Sequence, residues 1–117
     1  MARTGEPRKR GRREPLSNVI LDKMIEETLV DAYGESEQRI AFYTMLEDNL
    51  MVPFQTELLG VDVTVERIDM TDDEQIVAVC RRGKARQRIP ILELPLPNPP
   101  PFGAEWIEAF RRWARGS

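Results

Sequence analysis

The sequence predicts an α+β fold: an N-terminal helical hairpin packed on a small curled antiparallel β-sheet, plus a C-terminal helix. Three observations predict it. Apolar residues recur at helical spacing from Leu21 to Leu50, and the period changes to near alternation after Phe54. A proline-rich stretch over 95–101 then separates the last strand from a segment carrying both tryptophans.

Residues 1–15 are rich in Arg, Gly and Pro with almost no large apolar side chains. Such a segment cannot bury enough surface to offset its ordering entropy, so it is expected to be a disordered basic tail. The first helix is expected after an N-cap at Ser17 or Asn18, with Leu21, Met24, Ile25, Thr28, Leu29 and Ala32 on one face. Gly34 reads as the C′ residue that ends it. A second helix is expected from about Ser36, with Ile40, Tyr43, Leu46 and Leu50 as its apolar positions, flanked by Phe42 and Met45, and Pro53 as its stop.

From Phe54 onward, Leu58, Val61, Val63 and Val65 alternate with polar residues and predict a first strand. The run from Met70 to Glu74 reads as a turn, Ile76 to Cys80 as a second strand buried on both faces, and Arg82-Gly83-Lys84 as a hairpin turn. A third strand follows from Arg86 to Leu92, with Pro90 arguing for an edge position. The domain so outlined spans 16–94, the stiff proline connector 95–101, and a C-terminal amphipathic helix falls within 102–117. Trp106, Ile107, Phe110 and Trp113 line one side of that helix, which predicts docking on the domain; a partner-binding helix that swings on the connector is the alternative.

Composition narrows the function. No stretch approaches the ~20 apolar residues of a bilayer crossing, and the first residues lack an apolar signal core, so a cytoplasmic protein is expected. There is no histidine, and Cys80 is the single cysteine, set among Ile76, Val77 and Val79 as a buried thiol. A zinc site, a disulfide and a histidine-based nucleophilic triad therefore have no residues to build them, and no enzyme is expected.

Charge is segregated. Residues 1–16 carry a net charge of +4, residues 17–74 carry −12 with fifteen acids, and residues 75–117 carry +5. An acidic block of that size attracts cations or basic partners through its summed field, although a solvated helix face gives the same pattern.

The stretch Asp31-Ala32-Tyr33-Gly34-Glu35-Ser36-Glu37-Gln38 leads through Tyr43 to Leu46-Glu47-Asp48-Asn49-Leu50 and Pro53-Phe54. Val61-Asp62-Val63, an acidic turn, Val77-Ala78-Val79, basic residues and Ile89-Pro90-Ile91 follow. Over roughly 18–95 this pattern resembles the CcbP-type (non-EF-hand) bacterial calcium-binding protein family. The basic tail and the tryptophan helix lie outside the resemblance.

The resemblance implies a compact α+β domain that binds Ca2+ through surface carboxylates, as a buffer or sensor. Carried over to matching positions, it makes Asp48 with Glu47 the leading ligands, Asp31, Glu35 and Glu37 a second group, and Asp72, Asp73 and Glu74 a third. Calcium takes six to eight hard oxygens, which suits these side chains. An EF-hand is excluded: in the best frame, from Asp69, Glu74 stands where glycine is required and Cys80 where glutamate is required. Glu47, Asp48 and Asn49 sit near an expected helix C-terminus, whose free carbonyls and dipole favour a cation.

Each residue also has a plainer reading. Glu47 and Asp48 fit the solvent side of a helix, Asp31 fits a turn cap or a pair with Arg39, and Tyr33, Phe42, Tyr43 and Phe54 fit the core. Two other functions use other features. A nucleic-acid-binding module would use the tail basics with Arg81, Arg82, Lys84, Arg86 and Arg88; an interaction adaptor would present the tryptophan helix to a protein partner.

Overall fold

The computed structural model describes residues 16–116. The expected tail over 1–15 lies outside the described residues. Helix α1 spans Asn18–Leu29 and α2 Glu35–Asn49; strands β1 Phe54–Leu58, β2 Val61–Met70, β3 Ile76–Arg82 and β4 Ala85–Pro90 follow, and after a 3₁₀ turn at Ile91–Glu93 the chain ends in α3, Glu105–Ala114. The strands form one antiparallel meander in the order β1-β2-β3-β4. The fold is the expected α+β arrangement.

Ser17 caps α1, its hydroxyl accepting the Ile20 N–H at 3.2 Å. Helix α1 stops at Leu29, earlier than the spacing predicts, because Asp31 takes a left-handed conformation (φ 67°). Gly34 is therefore not the end of α1. It is the N-cap of α2, with φ 93°, a conformation glycine adopts without a Cβ penalty. The buried face of α2 is also rotated from expectation. Phe42 and Leu46 are fully buried, whereas Ile40 is exposed and Tyr43 half-buried. Tyr33, expected in the core, is exposed.

The region expected as one strand after Phe54 is two. Leu59 and Gly60, with φ 50° and 79°, form a two-residue hairpin turn, and the register runs from Phe54 opposite Val65 to Leu58 opposite Val61. The sheet thus has four strands, with β1 and β4 at its edges. A bulge at Glu66 shifts the β2–β3 register, so that Val65 faces Cys80 and Arg67 faces Val79. Pro90 closes β4, where an edge position lets it lack a donor.

The inner sheet face supplies Val63, Val65, Ile68, Ile76, Ala78 and Cys80 to the core. Helix α3 completes it: Trp106, Ile107, Ala109 and Phe110 are buried, and Phe42 lies 5.5 Å from Phe110 and 5.2 Å from Trp113 between ring centres. Each of the large apolar side chains among these contributes on the order of 1.5–3 kcal/mol by leaving water. Arg112 fastens α3 to α1 through Asp22 at 2.7 Å, and Arg111 donates to the Leu92 carbonyl at 3.1 Å. The tryptophan helix is docked, and the apolar side an adaptor would present is used in the core. Cys80 is buried, as expected, and burial pushes its thiol pKa up. No described helix is long and apolar enough to cross a membrane.

Candidate metal centre

The three acidic groups of the sequence meet different fates. At the start of α2, the first-turn acids Glu35 and Glu37 suit the positive end of the helix dipole. The Glu37 carboxylate accepts the Tyr33 N–H at 2.7 Å and so holds the α1–α2 link. Glu35 accepts from the Arg39 guanidinium at 2.8 Å, one helical turn on. The pair with Arg39 therefore involves Glu35 and not Asp31, which is exposed in the link.

The β2–β3 turn is a three-residue loop closed by Thr71. The Thr71 N–H donates to the Gln75 carbonyl at 2.9 Å, the Glu74 N–H to the Thr71 carbonyl at 2.9 Å, and the Gln75 N–H to the Thr71 hydroxyl at 3.0 Å. The Thr71 hydroxyl in turn donates to Asp73. Such a loop needs its last residue in the left-handed region, and Glu74 takes it with φ 65°. That conformation aims Glu74 at α2, where its Oε2 accepts the Ser36 hydroxyl at 2.6 Å.

The second and third groups therefore share one feature. Glu35, Ser36 and Arg39 of α2 and Asp73, Glu74 and Gln75 of the turn line a single cleft of about 400 Å³. Asp31, Glu37 and Asp72 do not line it. Sequence spacing could not find this convergence, because 38 residues separate Ser36 from Glu74. The Glu35–Arg39 spacing was its one local signal.

The first group lies at the other end of α2. Glu47 accepts the Tyr43 hydroxyl at 2.9 Å; burial first, then this hydrogen bond, pushes the Tyr43 pKa up to about 12. Asp48 is exposed on the next position. Adjacent helical residues do not face each other, so Glu47 and Asp48 point to different sides. The Asn49 side-chain amide donates back to the Met45 carbonyl at 2.8 Å, and the Met51 N–H donates to the Phe102 carbonyl at 2.8 Å.

Among the described residues, no three Cys, Asp or Glu side chains converge as a ready-made metal cage. The donors of the cleft are nonetheless all hard oxygens: three carboxylates, from Glu35, Asp73 and Glu74, and the Ser36 hydroxyl. That chemistry fits calcium rather than a soft metal, provided that exposed side chains rotate inward.

No curated protein and no solved structure matches the chain. A family model described as calcium binding, CcbP, matches residues 22–114. The match extends beyond the resemblance read from sequence and takes in α3 with both tryptophans. Over four elements of secondary structure in the sheet and three helices, the chain belongs to the CcbP calcium-binding family.

Proposed function

We propose that the chain is a non-catalytic calcium buffer or sensor that holds the ion through exposed carboxylates without an EF-hand. Family membership supports calcium as the ion. The observation that carries the location is the Ser36–Glu74 hydrogen bond, which brings Glu74 and Asp73 to the same cleft as Glu35. Glu35, Asp73 and Glu74 would hold the ion, and the ion would supply a cross-link between the start of α2 and the β2–β3 turn.

Magnitudes favour this cleft despite two opposing terms. A carboxylate about 4 Å from a divalent cation gains about 2 kcal/mol even in bulk water, and three are at hand. Arg39 opposes by a similar amount per contact at that distance. The positive end of α2 opposes by roughly 0.3–1 kcal/mol. The attraction exceeds both. Rotating side chains and displacing Arg39 keep affinity low, in the range of ~10⁻⁵ to 10⁻³ M by comparison with weaker calcium modules. The pair Glu47 and Asp48 is the second candidate, favoured by the negative end of α2 but limited to one carboxylate per side. Asp31, Glu37 and Asp72 would act through the general acidic field.

The sensor reading draws on Arg39. Its guanidinium pairs with Glu35 and also lies 5.5 Å from the centre of the Trp113 ring, so occupancy of the cleft would be felt by α3. Calorimetric titration of the metal-stripped protein with calcium, then magnesium, tests the function. Saturable heat that prefers calcium is expected. The absence of saturable heat would sink the reading.

A further inference from the structure

The sheet treats its arginines in two ways. On the outer face, Arg67, Arg81 and Arg86 lie 3.9, 2.6 and 2.8 Å from Glu66, and Arg88 lies 3.5 Å from Asp69. Arg82 is the fifth strand arginine. It pairs with Ala85 across β3 and β4, two residues from Cys80, and alternation puts it on the inner, apolar face. Among the described residues it has no ion pair.

Beside Arg82 the inner face opens into a groove of about 320 Å³ between the two hairpin ends. Leu58, Leu59, Val61, Val63 and Cys80 form its apolar wall, the start of β4 with Arg86 and Gln87 forms the other side, and no helix residue lines it. Its size and lining match the smaller ligand pockets: apolar walls with two arginines at one side, of which Arg86 is held by Glu66 and Arg82 is left to orient the guest.

Leu59 adds an independent observation. It occupies the first position of a two-residue turn with φ 50°, where Asn, Asp or Gly is favoured, and its side chain is fully exposed. Neither the turn nor the core asks for leucine there. Backbone strain retained at an exposed apolar residue points to a use for that residue, and Leu59 forms the lip of the groove.

We infer that this groove binds a small apolar carboxylate, its hydrocarbon body against Val61 and Val63, closed by Leu59, and its acid group on Arg82. The charge-assisted pairing supplies orientation, and the apolar walls supply most of the affinity. The site uses none of the carboxylates assigned to calcium.

Decanoate below its micelle concentration is the probe, with decanol as the uncharged control, read by methyl NMR of the full chain. Saturable shifts are expected at Leu58, Val61 and Val63. Arg82→Gln is expected to weaken decanoate about tenfold and to leave decanol unchanged. Leu59→Asn relieves the turn and is expected to weaken both ligands about threefold. No shift of these methyls, or equal decanoate affinity in Arg82→Gln, overturns the assignment. Broadening of the same methyls that grows with protein concentration alone would make a second copy the occupant, and would overturn it as well.

Discussion

The Ser36 hydroxyl donates to the Glu74 carboxylate at 2.6 Å, tying the first turn of α2 to a hairpin turn 38 residues away. This contact turns two separate acidic stretches into opposite walls of one cleft. It also gives a reason for an acidic residue at a left-handed position that glycine would fill at lower cost.

Glu74→Gln keeps the shape of the side chain and removes its charge. If the cleft holds calcium, loss of one of three carboxylates is expected to weaken binding about tenfold. Asp48→Asn, at the far end of α2, is expected to weaken it less than about twofold. Calorimetry on the two variants decides the location: a larger effect from Asp48→Asn moves the site to the C-terminal end of α2, and equal small effects leave only diffuse attraction.

Arg39 stands between the cleft and α3, so Arg39→Gln is expected to act in opposite directions on binding and stability. Removing a cation from the cleft and freeing Glu35 should raise calcium affinity about threefold. Loss of the contact over Trp113 should cost about 0.5–1 kcal/mol, lowering Tm by a few degrees. In the unmodified protein, a calcium-dependent change in tryptophan emission is expected of a sensor. Saturable calcium heat with unchanged emission would make the protein a buffer.

Local rules made much of this fold legible. Ser17 is a cap by type and position, the alternation from Val61 to Val65 is a strand, and Gly83 marks a hairpin. The failures share a physical origin. Gly34 suits either end of a helix, and only Asp31 taking a left-handed conformation decides that α1 stops early. The Leu59-Gly60 turn was hidden because leucine is a poor turn former, so two strands read as one. The face of α2 turned on long-range packing: Phe42 is drawn inward by Phe110 and Trp113, whose docking the amphipathic pattern of α3 predicts but whose partner on α2 it does not name. The candidate site was legible as composition, in that the acids were all named, but its geometry depends on a contact between distant turns.

Gly103 is held where no side chain fits. Its φ is 89°, and a Cβ there would stand 2.0 Å from the Asn49 carbonyl oxygen, a backbone atom that cannot rotate aside. The close approach seats the start of α3 on the end of α2. Gly103→Ala is expected to destabilise by about 2–4 kcal/mol, since it adds overpacking to backbone strain. Gly34→Ala, where φ is 93° but nothing lies within 4 Å, should show strain alone, about 1 kcal/mol. Urea denaturation of both variants separates the two costs. Equal losses would mean that the Asn49 contact relaxes without penalty.

Glu66, at the bulge, is expected to contribute to the acid response of the sheet. Hydrogen bonds from Arg86 and then Arg81 hold the Glu66 carboxyl below its ordinary value of 4.5, and Arg112 does the same for Asp22 below 3.8. A carboxyl whose pKa is lower in the folded protein adds stability that is present in full above its unfolded value. That stability is lost as the pH falls through the folded one. Both groups therefore predict a protein whose stability is level near neutrality and declines once the pH drops below about 4.5. Glu66→Gln should remove its share of that decline and leave the part due to Asp22, which ties α1 to α3. Asp22 is exposed and Glu66 half-buried, so raising the salt concentration should flatten the decline by screening, more for Asp22 than for Glu66. Thermal unfolding at several pH values between about 3 and 7, in the unmodified protein and in Glu66→Gln, reads this directly. Superimposable profiles would show that the Glu66 cluster orders the sheet surface without contributing to its acid sensitivity.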